Sequence, residues 1–139
     1  MIGICIVTHG ELAFGLKDSC ELIVGEQKQF SIVGLRLEDD FDEFKDHVFD
    51  SIKNMHNGHG VLVFVDLFGA SPYNSILFNY PKFKANNIDI RMISGTNLAM
   101  VLEACESRTT KDLEEVFTKV LRTGKEYIIG IDEAMNQIV

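Results

Sequence analysis

Two apolar runs in this 139-residue chain each end in a side chain that could do chemistry. The run from Ile2 to Thr8 ends at His9, and the run that begins at Val61 ends in Asp66. A carboxylate on one ring nitrogen fixes the tautomer of an imidazole, so that the other nitrogen becomes available as a nucleophile or base. The pair therefore predicts chemistry through His9, provided that the two runs are neighbouring strands.

A predicted helix start follows shortly after the carboxylate. Ser71 and Pro72 are typical of the N-cap and the first position of a helix, although capping alone would also account for the serine. The free amide groups of a helix start favour an anion, most naturally a phosphate. A histidine, an orienting acid and an anion site together predict phosphoryl transfer through the imidazole of His9, with the Ser71 hydroxyl as a further phosphoryl contact.

Other residues at the same strand ends are expected to line the site. They are Thr8, Gly10, Phe68, Gly69, Ala70 and Asn97. Loop, cap or packing roles remain alternatives for Phe68 and Asn97. A serine hydrolase is disfavoured because residues 69–73 (GASPY) do not form the G-x-S-x-G nucleophile elbow.

The rest of the chain predicts a sheet that would bring these ends together. Strands are predicted at Ile2–Thr8, Phe30–Leu35, Val61–Asp66, Ile88–Ile93 and Tyr127–Ile131. Amphipathic helical spacing lies between them, including a helix from Ser71 to about Tyr80 that Pro81 would end. This alternation predicts one α/β domain over residues 1–139, with a doubly wound, mostly parallel sheet and helices on both faces.

The order of the strands decides whether the chemical groups meet. In a flavodoxin-like order, 2-1-3-4, the first and third strands are neighbours about 4.8 Å apart, and ligands bind outside their carboxyl ends. His9 and Asp66 would then lie within hydrogen-bonding reach. This step depends on the topology and not on the separation of the two residues in sequence.

The charge of the chain and the length of its apolar runs disfavour several classes of partner and location. With 13 basic and 21 acidic residues, the formal charge of −8 disfavours nucleic acid and anionic membranes as partners. No apolar run approaches the roughly 18 residues that span a bilayer, and no signal peptide is apparent, so we expect a cytoplasmic protein without membrane insertion.

Cys5, Cys20 and Cys105 lie in apolar segments and are interpreted as reduced core thiols. No nucleotide motif occurs, and His56 with His59 lacks a third metal ligand, so no cofactor is expected.

Three motifs resemble those of a known family. Residues 3–10 (GICIVTHG), 65–74 (VDLFGASPYN) and 93–100 (ISGTNLAM) are similar to the enzyme IIA component of the mannose family of the bacterial phosphoenolpyruvate-dependent sugar phosphotransferase system. The similarity covers essentially the whole chain. The Leu67-Phe68 pair departs from many relatives at the rim of the site, where it would affect the choice of partner.

The resemblance implies a phosphohistidine carrier. His9 would accept a phosphoryl group from the phosphocarrier protein HPr and pass it to a IIB component, which works with IIC and IID in the membrane. Asp66 would hold the imidazole, and the Ser71 helix would help hold the phosphoryl group. The resemblance also implies a free-standing IIA protein that forms a homodimer, in which the strand Tyr127–Ile131 adds antiparallel to the partner's sheet.

Two other functions remain open at this stage. A related phosphocarrier could serve dihydroxyacetone kinase rather than a permease, or could have a regulatory role itself, and the transported sugar is not specified by the sequence. A receiver-like signalling module would use Asp66 as its phosphoacceptor. Such modules need an acidic pair at the end of the first strand to hold Mg²⁺, where this chain has Thr8 and His9.

Overall fold

A computed structural model describes residues 1–138 and shows a parallel sheet between two layers of helices. The strands are β1 (Gly3–His9), β2 (Phe30–Leu35), β3 (Val61–Val65) and β4 (Ile90–Ile93). The helices are α1 (Leu12–Val24), α2 (Phe41–Met55), α3 (Ser71–Ala85), α4 (Leu98–Ser107), α5 (Leu113–Glu126) and α6 (Ile131–Ile138).

The sheet has the predicted strand order. Its four strands are all parallel and run β2-β1-β3-β4, so β1 and β3 are central neighbours. Val7 pairs with Val65, and His9 pairs with Leu35. The carboxyl ends of β1, β2 and β3 therefore meet at one edge of the sheet, where the chemical groups were expected.

Alternate side chains of β1 explain why helices cover both faces. Ile4 and Ile6 belong to one buried cluster, with α1, α4 and α5, whereas Cys5 and Val7 belong to another, with α2 and α3. All of these side chains are fully buried. A strand that is apolar on both faces needs such double cover, which confirms the prediction made from its continuous apolar run.

Helix α3 continues beyond the predicted end. The sequence predicts a stop at Pro81, but the helix runs through the proline to Ala85. A proline inside a helix removes one backbone hydrogen bond. Two residues later the Phe83 ring is fully buried and stacks on Phe49 with ring centroids 5.4 Å apart, and this packing holds the last turn in place.

The predicted fifth strand, Tyr127–Ile131, is wrong for the chain described here. Tyr127 N donates to Thr123 O and Ile128 N donates to Lys125 O, so the segment first closes α5. Residues 128–130 have no regular structure and α6 begins at Ile131. A strand requires a neighbouring strand to pair its backbone groups, whereas Tyr127 and Ile128 donate their N–H groups to the preceding helix. Within residues 1–138, no helix combines the length and the apolar character needed to cross a bilayer.

Candidate functional site

The imidazole of His9 is held by Asp66 at the edge shared by β1 and β3. The His9 Nδ1 atom lies 2.8 Å from Asp66 Oδ2, and the backbone N–H of His9 donates to the same oxygen at 2.9 Å. The other oxygen, Asp66 Oδ1, accepts from the backbone N–H of Leu67 at 2.9 Å. The carboxylate is largely buried, whereas 47% of the His9 side chain is exposed. The predicted His9–Asp66 pair is therefore confirmed as a contact.

These hydrogen bonds fix the charge state of the acid. Burial alone would raise the pKa of Asp66, but the hydrogen bonds from the backbone and ring of His9 and from Leu67 outweigh it, and the pKa lies below its usual value. An ionised carboxylate only accepts hydrogen bonds, so it selects the tautomer of His9 in which Nδ1 carries the proton. Nε2 then keeps its lone pair, in a side chain that is about half exposed.

The turn after β1 sets the position of the histidine. Gly10 has a positive φ of 54°, and its N–H donates to Leu35 O at 2.8 Å. A Cβ atom on Gly34 of β2 would overlap the carbonyl oxygen of Gly10, so this close approach requires a glycine. Thr8 is fully buried, and its Oγ1 accepts from Ala13 N at 2.8 Å. Thr8 therefore supports the start of α1 and does not line the site, contrary to its predicted place at the rim.

The start of α3 differs by one residue from the prediction. Ala70, with an extended backbone, is the N-cap, Ser71 is the first helical residue, and no side chain caps this helix. Ser71 is therefore not an N-cap, because its own backbone is already helical. Among the hydrogen bonds of residues 1–138, none engages the Ser71 hydroxyl, which leaves it available to a ligand beside His9.

The loop from β3 to α3 is exposed to solvent. Gly69 has a φ of 79°, and its carbonyl accepts from Asn74 Nδ2 at 3.2 Å, which ties the loop to its helix. Leu67 and Phe68 are exposed, and the Phe68 ring leans on Tyr73 with centroids 4.8 Å apart. Phe68 and Gly69 therefore belong to an exposed loop that follows Asp66, Ala70 adjoins them as the N-cap, and their place at the rim of the site stays a prediction.

The polar side chains of the loop after β4 form hydrogen bonds with backbone groups. Thr96 Oγ1 donates to Val65 O at 2.7 Å. Asn97 Oδ1 accepts from Met100 N at 3.1 Å as the cap of α4, and its Nδ2 donates to Gly124 O at 3.0 Å. Both polar atoms of the Asn97 amide are therefore in use, and the alternative role as a cap describes this residue better than a role in the site.

One cavity joins His9 to a side chain that sequence reasoning did not single out. It has a volume of about 400 Å³ and is lined by His9, Leu35, Arg36, Leu37, Asp39, Phe41 and Ser71. Arg36 and Gly34 were missed as functional residues because their roles depend on the register between β2 and β1, which the strand order alone does not specify. A glycine inside a strand was the available signal for Gly34, since it often marks a close backbone approach. Within the described part of the chain, no group of three or more His, Cys, Asp or Glu side chains could hold a metal ion.

Comparisons with known proteins agree on one family. The family model described as "PTS system fructose IIA component" matches residues 3–121. The fructose-specific EIIA component of Bacillus subtilis (strain 168) is 28% identical over 120 residues, which cover 86% of this chain and 80% of that protein. The sorbose-specific EIIA component of Lacticaseibacillus casei is 23% identical over 132 residues, covering 95% and 92%.

A solved structure has the same architecture. The crystal structure of phosphotransferase system component EIIA from Streptococcus agalactiae matches with a TM-score of 0.85 and 27% sequence identity. The match covers 95% of this chain and 98% of that one. The helix–sheet arrangement around His9 and Asp66 is therefore that of a solved EIIA component.

Proposed function

The chain belongs to the mannose family of phosphotransferase-system IIA components, and on that premise we propose that His9 is its phosphoryl acceptor. In this proposal HPr supplies the phosphoryl group and a IIB component removes it, on the way to sugar uptake and phosphorylation. The contact of 2.8 Å between His9 Nδ1 and Asp66 Oδ2, in a His9 side chain that is 47% exposed, is the observation that carries the proposal.

The transfer is an in-line exchange between two imidazoles. The lone pair of His9 Nε2 attacks the phosphorus of phosphorylated HPr, a P–N bond forms, and the P–N bond to the donor imidazole breaks. The proton on His9 Nδ1 stays in its hydrogen bond to Asp66, so the positive charge that develops on the ring is matched by the carboxylate. In the second transfer, IIB attacks the phosphorus and the P–N bond to His9 Nε2 breaks.

The start of α3 is suited to hold the phosphoryl oxygens. Pro72 has no N–H, but the N–H groups of Ser71 and Tyr73 lie in the first turn, where a helix provides no partners for them. Together with the Ser71 hydroxyl they offer donors at the positive end of the helix dipole. Positioning and electrostatics therefore supply the catalysis, with no metal or nucleotide required.

The surroundings of His9 suit docking by another protein. The exposed apolar side chains of Leu37, Leu67 and Phe68 lie around the site. A formal charge of −8 favours encounter with a partner that presents its histidine on a basic surface, as HPr does. IIB, with IIC and IID in the membrane, would receive the phosphoryl group, and the exchange would take place in the cytoplasm.

Asp66 is better suited to orient His9 than to accept a phosphoryl group itself. Both of its oxygens accept hydrogen bonds from the protein, and its side chain is largely buried. A phosphoacceptor aspartate has to expose an oxygen to the incoming phosphorus. This geometry favours a phosphohistidine carrier over a receiver-like module.

We also propose that the protein works as a homodimer through its C-terminal segment. The side chains of Tyr127, Ile128, Ile129 and Ile131 are all exposed in the single chain. A contiguous run of exposed apolar side chains is unusual on a monomer and is typical of an interface. Burial of this run against a second copy would remove it from water.

Intact mass measurement tests the proposal. The protein is incubated with phosphoenolpyruvate, enzyme I and HPr, and wild type is compared with His9→Ala. We expect wild type to gain the mass of one phosphoryl group and the variant to gain none. Labelling of His9→Ala to the wild-type extent would overturn the assignment.

A further inference from the structure

Arg36 directly follows the end of β2, the strand that lies beside β1 and His9. β2 is parallel to β1, and His9 pairs with Leu35, so Arg36 is the next residue beyond the end of that pairing. Its side chain lines the same cavity as His9 and Ser71. Of the lining residues, Arg36 is the only one with a permanently positive side chain.

A phosphoryl group on His9 would enter acidic surroundings. Asp66 touches the ring of His9, Asp39 lines the cavity, and Glu11 follows two residues after His9. Each of these carboxylates repels a phosphoryl dianion. A neighbouring cation would offset that repulsion, and the planar fork of a guanidinium matches two phosphoryl oxygens at once.

The backbone of Arg36 is held by hydrogen bonds to Asp39, whereas its guanidinium forms an exposed ion pair that another anion can replace. Arg36 N donates to Asp39 Oδ2 at 2.7 Å, and Asp39 N donates to Arg36 O at 3.1 Å, which holds the backbone in a tight turn. The guanidinium forms an ion pair with Glu11, in which the two side chains are 50% and 68% exposed. An exposed pair of this kind contributes about 0–1 kcal/mol, so a dianion at closer range can displace it.

We infer that Arg36 is a second phosphoryl-binding residue, which leaves Glu11 and contacts the phosphoryl oxygens once His9 is phosphorylated. Glu11 holds the guanidinium at the edge of the cavity while His9 is free. The exchange breaks no covalent bond and moves no proton. It rests on the proposed function, since it requires a phosphoryl group on His9.

The test is the equilibrium distribution of the phosphoryl group between HPr and this protein. Phosphorylated HPr is mixed with each variant, and both phosphorylated species are quantified by intact mass once the ratio no longer changes. Because this equilibrium constant compares the free phosphorylated and unphosphorylated proteins, it does not depend on how tightly the two proteins dock. A role of Arg36 in docking alone would therefore leave it unchanged.

Two substitutions should shift the equilibrium in opposite directions. Arg36→Gln should lower the constant about three- to tenfold, because hydrogen bonds to a charged group are lost at a half-exposed site. Glu11→Gln should raise it about two- to threefold, because it frees the guanidinium. In the double variant, the effect of Glu11→Gln should largely disappear, and Arg36→Lys should retain part of the wild-type value.

Arg91→Gln is the matched control. Arg91 is a similarly exposed cation in an ion pair with Glu114, and it lies on β4 beside Leu62, far below the carboxyl end of the sheet. This variant loses the same charge and should keep the wild-type constant. If wild type is labelled on His9 and Arg36→Gln matches Arg91→Gln, the inference is wrong and the proposed function stands. If wild type is not labelled, the proposed function fails and the inference fails with it.

Discussion

At the scale of single residues, the site depends on one carboxylate that does three things. Asp66 accepts from the ring of His9, from the backbone of His9 and from the backbone of Leu67. It therefore fixes the tautomer of the ring, the end of β1 and the start of the next loop at once. A single substitution at this position should change both reactivity and stability.

Asp66→Asn should slow phosphorylation of His9 by about 10²- to 10⁴-fold, because an amide can present a donor to Nδ1 and no longer matches positive charge on the ring. It should also lower the free energy of unfolding at pH 7 by about 1–3 kcal/mol, the usual cost of losing hydrogen bonds to a charged group. Rapid-quench labelling by phosphorylated HPr measures the first effect, and urea unfolding measures the second. A variant with the wild-type rate would contradict the assigned role.

The stability difference between these two proteins should depend on pH in a defined direction. The pKa of Asp66 is lower in the folded state than its usual value of 3.8, so its stabilisation is fully present above about that pH. It is lost as the pH falls through the lower, folded-state pKa. Urea midpoints of wild type and Asp66→Asn should therefore converge toward acid, and a difference that grows as the pH falls would refute this account.

Sequence reasoning reached His9 and Asp66 because each ends an apolar strand, but it did not reach their supporting residues. Gly34 lies on β2 and Arg36 directly follows its last residue, and their proximity to His9 depends on the register that pairs Leu35 with His9. Thr8 and Asn97 were predicted at the rim, yet their polar atoms are used by local backbone groups. Such competition depends on loop geometry, which residue type alone does not specify.

At the scale of secondary structure, the turn between β1 and α1 positions His9 through close contact with β2. Gly10 N donates to Leu35 O, and the carbonyl of Gly10 occupies the space that a side chain on Gly34 would need. The periodicity of the sequence predicted β2 and α2, because apolar patterns dominate there, whereas the strand order was predicted from the flavodoxin-like topology of α/β sheets. The N-cap of α3 depends on backbone angles that no pattern encodes.

Gly34→Ala should push the turn away from β2. We expect the free energy of unfolding to fall by about 1–3 kcal/mol, as is usual for overpacking, and phosphorylation of His9 to slow because the ring is displaced. Gly15→Ala is the control, since Gly15 lies on the exposed side of α1 with open space around it. That variant should gain about 0.5–1 kcal/mol from reduced chain entropy and react normally. Equal stability of the two variants in urea unfolding would contradict the argument.

At the scale of the whole molecule, two separate regions matter, which are the carboxyl edge of the sheet and the segment after α5. The carboxyl edge of the sheet carries the complete His9–Asp66 pair within one chain. The segment after α5 exposes a run of apolar side chains. The strand predicted from the sequence is replaced here by a turn and α6.

Ile128→Asp should separate the proposed dimer without destroying the site. A charge within the exposed apolar run would be costly to bury against a second copy. We expect light scattering after size exclusion to give a dimer for wild type and a monomer for the variant, with His9 still labelled. Leu77→Asp, which places the same charge on an exposed position of α3, should stay dimeric. A monomeric wild type would exclude this interface.

The central claim is that His9 accepts the phosphoryl group on Nε2 while Asp66 keeps the proton on Nδ1. Nitrogen-15 and phosphorus-31 NMR of the protein phosphorylated by HPr measures this directly, because coupling to phosphorus identifies the bonded ring nitrogen. We predict phosphorus coupling to Nε2 of a single histidine, with Nδ1 protonated, and no such signal in His9→Ala. Coupling to Nδ1 of His9, or a phosphoryl group on Asp66 that base removes, would contradict the account.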